Sequence, residues 1–441
     1  MVWPWSTPSE LAACRSAVQS AYCQTDQVRS NALSALISDK ERETCRRDGG
    51  PIAVLSMHAR WQCWVLGRGL TEAIREDGVQ VADVGVRGPG DVHPLSRARL
   101  LGDRLGGQPT AAVLLDVVRQ DVRNILPDSV PVISWLGSLA NVDSSMGSKI
   151  GEHDLVAVTS ARLRDRVVTA GVPEGQIAVV PHPCLALPMA ADGPEARPID
   201  VAVIADLVPV EPERFGHTLW THVRIWRTAM DLIRARLDSF EDEQGEAILA
   251  RAEQKIGSRI DDVAMRRAMA EVLSGSVANA VLWPWLVERL LAAGIRPAVY
   301  GRGWQGAASG CVQGEGGDLA SRMAILRQAK VLLYADVRGD VSDLPLLAGM
   351  VGTAIVARSH NRDTQSGGLA TLLSPEREIE FFQRSSEMVS VIKRLVGEVE
   401  SRRLMIDQAR ARCVTDHRPM DRWRALKTVA SSFFEGRVGQ V

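Results

Sequence analysis

The sequence predicts an α/β protein built from two Rossmann-like, doubly wound lobes. Short apolar runs rich in β-branched residues recur along the chain, and amphipathic segments with helical spacing separate them. The alternation occurs twice, with the polar loop AADGPEARP between the two series. Strands that alternate with helices form parallel βαβ units. A length of 441 residues is sufficient for two such lobes and additional helices.

The first series occupies residues 49–195. Strands are predicted in PIAVLS, VQVADVGV, TAAVLLDVV, VPVISWLG, DLVAVTS and QIAVVPHP. Helices are predicted in CWVLGRGLTEAIREDG, where Leu66, Leu70 and Ile74 share one face, and in ARLRDRVVTAG. Residues 1–48 are polar with weak apolar spacing, and they predict an N-terminal helical extension.

The second series occupies residues 196–400 and begins with the strand IDVAVIADL. Residues 211–293 are charged and helical over a length that exceeds a normal crossover, so they predict a helical insertion. The alternation resumes with the strand RPAVYG, the helix DLASRMAILRQAK and the strand VLLYADV. From residue 385 onward only helices are predicted, and residues 401–441 are assigned to a C-terminal helical segment.

The stretch SDLPLLAGMVGTAIVARS contains a helix followed by a buried strand. Asp343 is predicted to cap the helix, Pro345 is tolerated in its first turn, and Gly352 ends it. The strand is predicted at Thr353–Ala357. A helix start beside the carboxyl edge of a sheet is where open α/β proteins bind anionic ligands, although an ordinary αβ unit has the same pattern.

Composition restricts the classes of function. The formal net charge of −1, from 52 basic and 53 acidic residues, argues against a nucleic-acid-binding surface or a polybasic membrane anchor over the whole chain. No run of 18 apolar residues occurs, and the start MVWPWSTPSELAACRS does not resemble a secretion signal. Seven scattered cysteines without a C-x-x-C pair fit a reducing compartment, so we expect a cytoplasmic protein.

A literal G-x-G-x-x-G motif occurs at residues 301–306, directly after a predicted strand. A dinucleotide site requires a helix to open within the motif, but the glycine-rich stretch AASGCVQGEGG follows. The context therefore argues against NAD. Two interpretations stay open: a tight turn that brings backbone close to a ligand with Arg302 as a charge, or a plain glycine-rich loop.

Other catalytic motifs are missing, including the P-loop, G-x-S-x-G and H-E-x-x-H. His217 and His222 are five residues apart, which is off the metal-binding face of a helix. His58 and Asp116 each follow a predicted strand of the first lobe, so either side chain is a candidate base or ligand contact. A structural role for each is the alternative.

The order of segments resembles the GT-B fold glycosyltransferases. The passage from Ser160 through Pro181 is similar to the end of the first lobe in those enzymes. The CgeB-like branch of these enzymes, which is linked to spore-coat and surface polysaccharides, has a pattern similar to Gly301–Trp304 followed by Ala329–Leu333. The segment His417–Arg422 resembles the terminal helix of that branch. The resemblance covers roughly residues 50–430.

Two positions depart from the family pattern E-G-F-G-L-P-x-x-E-A-M-A-x-G-T-P-V-V-A. With its glycine aligned on Gly352, the two glutamates become Gly339 and Leu347. The second glutamate usually accepts hydrogen bonds from the donor ribose, and leucine cannot. Asp340 and Asp343 are nearby carboxylates, and Asp343 is the closer to the helix start.

The resemblance implies a nucleoside diphosphate sugar in a cleft between the lobes. Arg302 and Arg338 are predicted to contact the diphosphate, and Asp336 and Asp343 to accept ribose or sugar hydroxyls. Trp304 is predicted to form a stacking wall. The predicted donor site also includes Gly301, Gly303 and Leu344, and the predicted acceptor side includes His58 and Asp116.

The predicted function is transfer of a sugar from a nucleoside diphosphate sugar to a surface glycan, a protein or a small molecule. No Asp-x-Asp occurs, so we expect no metal and no cofactor. The alternatives are a nucleotide-sugar epimerase or a silent sugar-nucleotide-binding protein of GT-B shape, and an unrelated Rossmann oxidoreductase. Nucleic acid is not an expected partner, and a peripheral membrane contact stays open.

Overall fold

The structure, a computed structural model, describes residues 52–56, 61–85, 110–122, 126, 128–137, 142, 145–184, 197–207, 220–237, 245–304, 306–337 and 341–438. The predicted N-terminal extension lies outside these ranges. Backbone contacts divide the chain into two compact units. Of the described residues, the first unit contains those between 52 and 159, 163–180 and 419–438, and the second contains 160–162 and those between 181 and 418.

Strands and helices alternate as the sequence predicts. The strands are β1 (Ile52–Ser56), β2 (Val81–Gly85), β3 (Ala111–Leu115), β4 (Val132–Leu136), β5 (Asp154–Val158), β6 (Ile177–Val179), β7 (Ile199–Ile204), β8 (Ala298–Tyr300), β9 (Val312–Gly314), β10 (Ala329–Tyr334), β11 (Ala354–Arg358) and β12 (Glu380–Phe382). The helices are α1 (Trp61–Glu76), α2 (Ala161–Thr169), α3 (Trp220–Arg234), α4 (Gly245–Ile256), α5 (Val263–Val272), α6 (Ala278–Ala292), α7 (Leu319–Gln328), α8 (Leu344–Val351), α9 (Leu369–Leu372), α10 (Ser385–Gly397), α11 (Val399–Asp416) and α12 (Pro419–Val438). No helix within the described ranges is long and apolar enough to cross a bilayer.

The first unit contains a parallel sheet in the order β2-β1-β3-β4-β5-β6. The buried strands are near-continuous apolar runs, as expected for a parallel sheet covered on both faces. The strand order changes direction between β1 and β3. In open α/β sheets such a switch point places a crevice at the carboxyl ends of the two strands.

Helix α12 belongs to the first unit, where it packs against α1. The indole N–H of Trp423 and the ammonium of Lys427 both donate to Asp77 Oδ2, at 3.0 and 2.8 Å, just after α1 ends. Helix α11 belongs to the second unit. The C-terminal segment predicted at residues 401–441 is therefore divided between two units.

The second unit contains a parallel sheet in the order β12-β11-β10-β7-β8-β9. Two separate parallel sheets confirm the predicted α/β fold with two doubly wound lobes. Alternate residues of β10 face opposite cores: Val331 and Leu333 pack with the helical insertion, whereas Leu332 packs with α8. The switch point of this sheet lies between β7 and β10.

The helical insertion is confirmed. Helices α3, α4, α5 and α6 lie between β7 and β8, and a π-helical turn at Leu273–Val277 joins α5 to α6. The insertion is buried against one face of the sheet through residues such as Ile225, Trp226 and Leu286. It therefore forms part of the core of the second unit.

Candidate functional site

The candidate site is the carboxyl edge of the second sheet beside its switch point. Ala205 and Asp206 follow β7, and Ala335 and Asp336 follow β10, so the two loops leave neighbouring strands at the same edge. Asp336 is partly buried there. Arg338, the other predicted contact near it, lies outside the described residues. Ligands of open α/β sheets bind outside this edge.

The glycines of the G-x-G-x-x-G motif are required by the chain itself. Gly301 has φ 135°, and a Cβ there would lie 2.1 Å from the carbonyl oxygen of Ala205. Gly303 has φ 83°, and its Cβ would lie 1.8 Å from the carbonyl oxygen of Leu207. The prediction that these two glycines let backbone approach a ligand is therefore not supported, because the β8 turn approaches the loop after β7 instead. A 3-10 turn, not an α-helix, begins at Gly306, the last glycine of the motif.

Arg302 lies between these glycines and remains accessible. Its backbone N–H donates to Asp206 Oδ1 at 2.8 Å, and its guanidinium lies 3.5 Å from Asp206 Oδ2. The side chain is 72% exposed, so this ion pair is open to solvent and to an anionic ligand. Sequence reasoning missed Asp206, because the residue that holds the turn is 96 positions away.

Trp304 is not a stacking wall. The side chain is only 8% exposed and belongs to the core formed with the helical insertion. Its indole N–H donates to the carbonyl oxygen of Ala205 at 2.9 Å. Because the ring is used in packing and the N–H in a hydrogen bond, Trp304 stabilises the β8 turn and presents no face to a base or sugar.

Helix α8 begins where the sequence predicts, but Asp343 does not cap it. The backbone of Asp343 has φ −66° and ψ −17°, which is helical, and its side chain makes no capping hydrogen bond. The hydroxyl of Ser342 accepts from the N–H of Leu344 at 3.3 Å instead, and the phenol oxygen of Tyr334 accepts from the N–H of Ser342. The predicted C-terminal stop is confirmed, since Gly352 is left-handed with φ 82°.

The carboxylate of Asp343 is buried with one oxygen unpaired. Its side chain is 8% exposed, and Oδ1 lies 3.7 Å from Nη1 of Arg322 on α7. Arg322 is anchored by its Nε, which donates to the carbonyl oxygen of Gly316 at 2.9 Å. Oδ2 of Asp343 has no hydrogen-bond donor within the described part of the chain. Leaving a buried carboxylate oxygen without a donor costs about 1–3 kcal/mol or more, so this atom is a candidate ligand acceptor.

Leu344 and Leu347 are core residues. Leu344 is 5% and Leu347 1% exposed, and both pack in the apolar core around α8. The prediction that Leu344 contacts the donor is therefore not supported, since its side chain is covered and its N–H donates to Ser342. At Leu347, where the family pattern has glutamate, the structure has no open polar surface.

A further polar cluster, not predicted from the sequence, follows β11. Oδ2 of Asp363 accepts from the backbone N–H of His360 at 2.6 Å, which closes a tight turn. Burial raises the pKa of the Asp363 carboxyl above its usual value, and this hydrogen bond partly opposes the rise. Among the described residues no group of three metal-ligating side chains is found.

In the first unit, Asp116 follows β3 at the switch point, and His58 lies outside the described residues. Asp116 has φ 55°, an uncommon conformation for a residue other than glycine. Its Oδ1 accepts from the backbone N–H of Gly137, just after β4, at 2.7 Å. Strained residues of this kind often occur at functional sites, and the hydrogen bond shows that Asp116 also fixes the end of β4.

Comparison with known proteins gives a family match over part of the chain. Residues 282–428 match the family described as glycosyl transferase-like. The matched third of the chain contains β8, the glycine turn, α7 and α8, and hence Arg322 and Asp343. The match confirms the predicted resemblance to glycosyltransferases and the predicted class of enzyme, without distinguishing the CgeB-like branch. No curated protein matches the chain.

Solved structures that are similar to the chain include three sugar-transferring or sugar-nucleotide-bound proteins. A glycosyltransferase from Rickettsia africae is 7% identical, with a TM-score of 0.42 over 88% of this chain and 98% of that one. Sucrose-phosphate synthase from Thermosynechococcus elongatus is 13% identical, with a TM-score of 0.44 over 88% and 100%. The Anabaena protein Alr3699/HepE in complex with UDP-glucose is 9% identical, with a TM-score of 0.43 over 87% and 99%.

Proposed function

We propose that this protein is a glycosyltransferase that takes a sugar from a nucleoside diphosphate sugar without the help of a metal ion. The observation that carries the proposal is the buried carboxylate of Asp343, which lies at the start of α8 within the family match and has one oxygen without a donor. A ribose or sugar hydroxyl is a neutral donor that would satisfy this oxygen. Arg322 orients the carboxylate from the other side.

The position of this carboxylate fits the altered family pattern. Asp343 precedes Leu347, the position of the expected glutamate, by four residues, which is about one helical turn or 6 Å along the axis. A carboxylate at Asp343 therefore remains at the end of the helix that faces the carboxyl edge of the sheet. In this proposal Asp343 takes over the ribose contact of the absent glutamate, and Asp336 accepts a second hydroxyl.

The leaving diphosphate requires positive charge, because negative charge develops on it as the glycosidic bond breaks. Arg302 meets this requirement in part, since it is exposed at the end of β8 and its ion pair with Asp206 is weakened by solvent. Arg338 is the second proposed contact. Positive side chains and a helix N-terminus supply the electrostatic stabilisation that a metal ion gives in other transferases.

The acceptor is proposed to react at the first unit. Asp116 and His58 follow the two strands that flank its switch point, and in an inverting reaction one of them would remove the acceptor proton. The proposed acceptor is a surface glycan, a protein or a small molecule, and the proposed compartment is the cytoplasm.

The test begins with nucleotide binding to the purified full chain. UDP, GDP, CDP, ADP and dTDP are titrated by calorimetry against the parent, Asp343→Asn and the control Asp407→Asn. Asp407 is an exposed carboxylate on α11, 63% exposed, so its substitution makes the same change in charge away from the site. A hydrogen bond to a charged acceptor contributes about 1.5–3 kcal/mol, so Asp343→Asn should weaken binding about tenfold to a hundredfold.

Thermal unfolding separates a ligand contact from a structural one. Asp343 does not cap α8, so Asp343→Asn should leave the melting temperature unchanged or raise it while affinity falls. Equal affinity of parent and Asp343→Asn for every nucleotide would refute the assignment. Products decide the reaction: free nucleoside diphosphate indicates transfer or hydrolysis, an altered sugar indicates an epimerase, and binding without turnover indicates a silent protein. Loss of turnover in EDTA, restored by Mg²⁺ or Mn²⁺, would refute metal independence.

A further inference from the structure

The helical insertion has no role in the proposed chemistry so far, and the family match does not explain it. The match begins at Leu282, so α3, α4, α5 and the π-helical turn precede it. The insertion nevertheless makes a specific polar contact at the switch point of the sheet. That contact involves Asn279, in the first turn of α6.

The backbone just before Asn279 is unusual. Residues Leu273–Val277 form a π-helical turn, and such turns are rare and occur frequently at functional sites. The turn is built into the core: Leu273 and Val277 are buried, and a Cβ on Gly245 of α4 would lie 1.9 Å from the carbonyl oxygen of Ala270. A π turn inserts one residue into the helical repeat, so the face that α6 presents to the sheet is rotated relative to that of α5.

The rotated face carries Asn279 to the loop after β10. Oδ1 of Asn279 accepts the backbone N–H of Val337 at 3.1 Å, across 58 residues of sequence. Val337 is buried, and it directly follows Asp336, the proposed hydroxyl acceptor. A buried N–H needs an acceptor, and Val337 lies outside the strands and helices of the described residues, so the Asn279 side chain supplies one. The asparagine therefore fixes the backbone on which Asp336 is carried.

We infer that Asn279 is a positioning residue through which the helical insertion holds the Asp336–Val337 loop in the conformation that binds the nucleotide sugar. The inference rests on the proposed function for the identity of the ligand. The hydrogen bond itself does not depend on that function. Hydrogen exchange at the Val337 amide therefore tests the hydrogen bond, and ligand affinity tests the positioning role.

The experiment compares the parent with Asn279→Ala, Asn279→Asp and the control Gln254→Ala. Alanine removes the acceptor, whereas aspartate keeps a side-chain oxygen in the same place; Gln254 is an exposed residue of the insertion on α4. Hydrogen exchange of the Val337 amide, followed by mass spectrometry in the full chain, should be at least tenfold faster in Asn279→Ala. It should stay close to the parent rate in Asn279→Asp and in Gln254→Ala.

The second readout is the affinity for a nucleoside diphosphate. The one that binds the parent most tightly is used for every variant. Asn279→Ala should weaken its binding about threefold to thirtyfold, whereas Gln254→Ala should leave it unchanged. Because the Asn279 bond also stabilises the buried Val337 N–H, Asn279→Ala should lower the melting temperature, and affinity is compared at a temperature where every variant is folded. Faster exchange with unchanged affinity would overturn the positioning role. Unchanged exchange in Asn279→Ala, or fast exchange in Asn279→Asp, would overturn the contact itself. If the parent binds no nucleotide, the proposed function fails and the positioning role fails with it, while the exchange rates still decide the contact.

Discussion

Substitution of Gly303 by alanine tests the conclusion that the glycine motif serves the fold. A Cβ at Gly303 would have to move from 1.8 Å to at least 3.0 Å from the carbonyl oxygen of Leu207. The left-handed conformation of an alanine costs about 1–2 kcal/mol, and a forced backbone shift costs about 1–3 kcal/mol. The shift also breaks the 2.8 Å bond from the Leu207 N–H to the Arg302 carbonyl, which contributes about 1 kcal/mol. The expected loss of stability is roughly 3–6 kcal/mol.

Two neighbouring glycines supply matched controls. Gly306 has φ 67° with no atom within 4 Å of a Cβ, so Gly306→Ala should lose only the conformational term of about 1–2 kcal/mol. Gly310 has open space and no left-handed backbone, so Gly310→Ala should stay within about 0.5 kcal/mol of the parent. The loss of melting temperature should be largest for Gly303→Ala, smaller for Gly306→Ala and smallest for Gly310→Ala. Each kcal/mol of lost stability should lower the melting temperature by about 2–4 °C. Equal melting temperatures for Gly303→Ala and Gly306→Ala would refute the close-approach reasoning.

Three other changes give definite expectations. A hydrogen bond with Cys184 and burial raise the pKa of the Cys413 thiol far above its usual range, so at pH 8 iodoacetamide should modify neither cysteine until the protein is denatured. Burial raises the pKa of Asp363, so ionisation of this carboxyl destabilises the folded state. The destabilisation begins as pH rises above the ordinary value of 3.8 and is complete above the folded-state pKa. Asp363→Asn should therefore raise the melting temperature at pH 7 and have no effect on it at pH 3. Leu347→Glu places an unpaired charge in the core and should lower the unfolding free energy by about 3–5 kcal/mol, measured by urea denaturation.

The sequence was sufficient for the elements with a strong apolar signal. The strands predicted in PIAVLS, TAAVLLDVV, IDVAVIADL and VLLYADV are β1, β3, β7 and β10, which are the four strands that flank the two switch points. The helical insertion was predictable because its length is incompatible with a simple crossover. The strands β9 and β12 were not predicted, since each has three residues and lies at an edge of the second sheet, where periodicity is too short to read.

The site was less predictable because its contacts are distant in sequence. Local patterns identified the helix start at Asp343 and the strand-end residue Asp336. They could not show that Arg322 meets Asp343 or that Asn279 reaches the backbone of Val337. A hydrogen bond across 58 residues leaves no periodic signal in a single sequence. Local reasoning also assigned one wrong role. It predicted that Asp343 caps α8, whereas the hydroxyl of Ser342 accepts the first N–H of the helix.

The absence of the family glutamate follows from how α8 is packed. All eight residues of the helix are buried, and a Cβ on Gly349 would lie 3.1 Å from the sulfur of Cys413 on α11. A helix that is apolar on every side cannot present a charged side chain from its middle turn, so a glutamate at Leu347 is incompatible with this core. A polar group can still be carried at the end of such a helix, where the chain meets the loop. Asp343 is at that end and has Arg322 beside it, so the proposed donor contact does not require the glutamate.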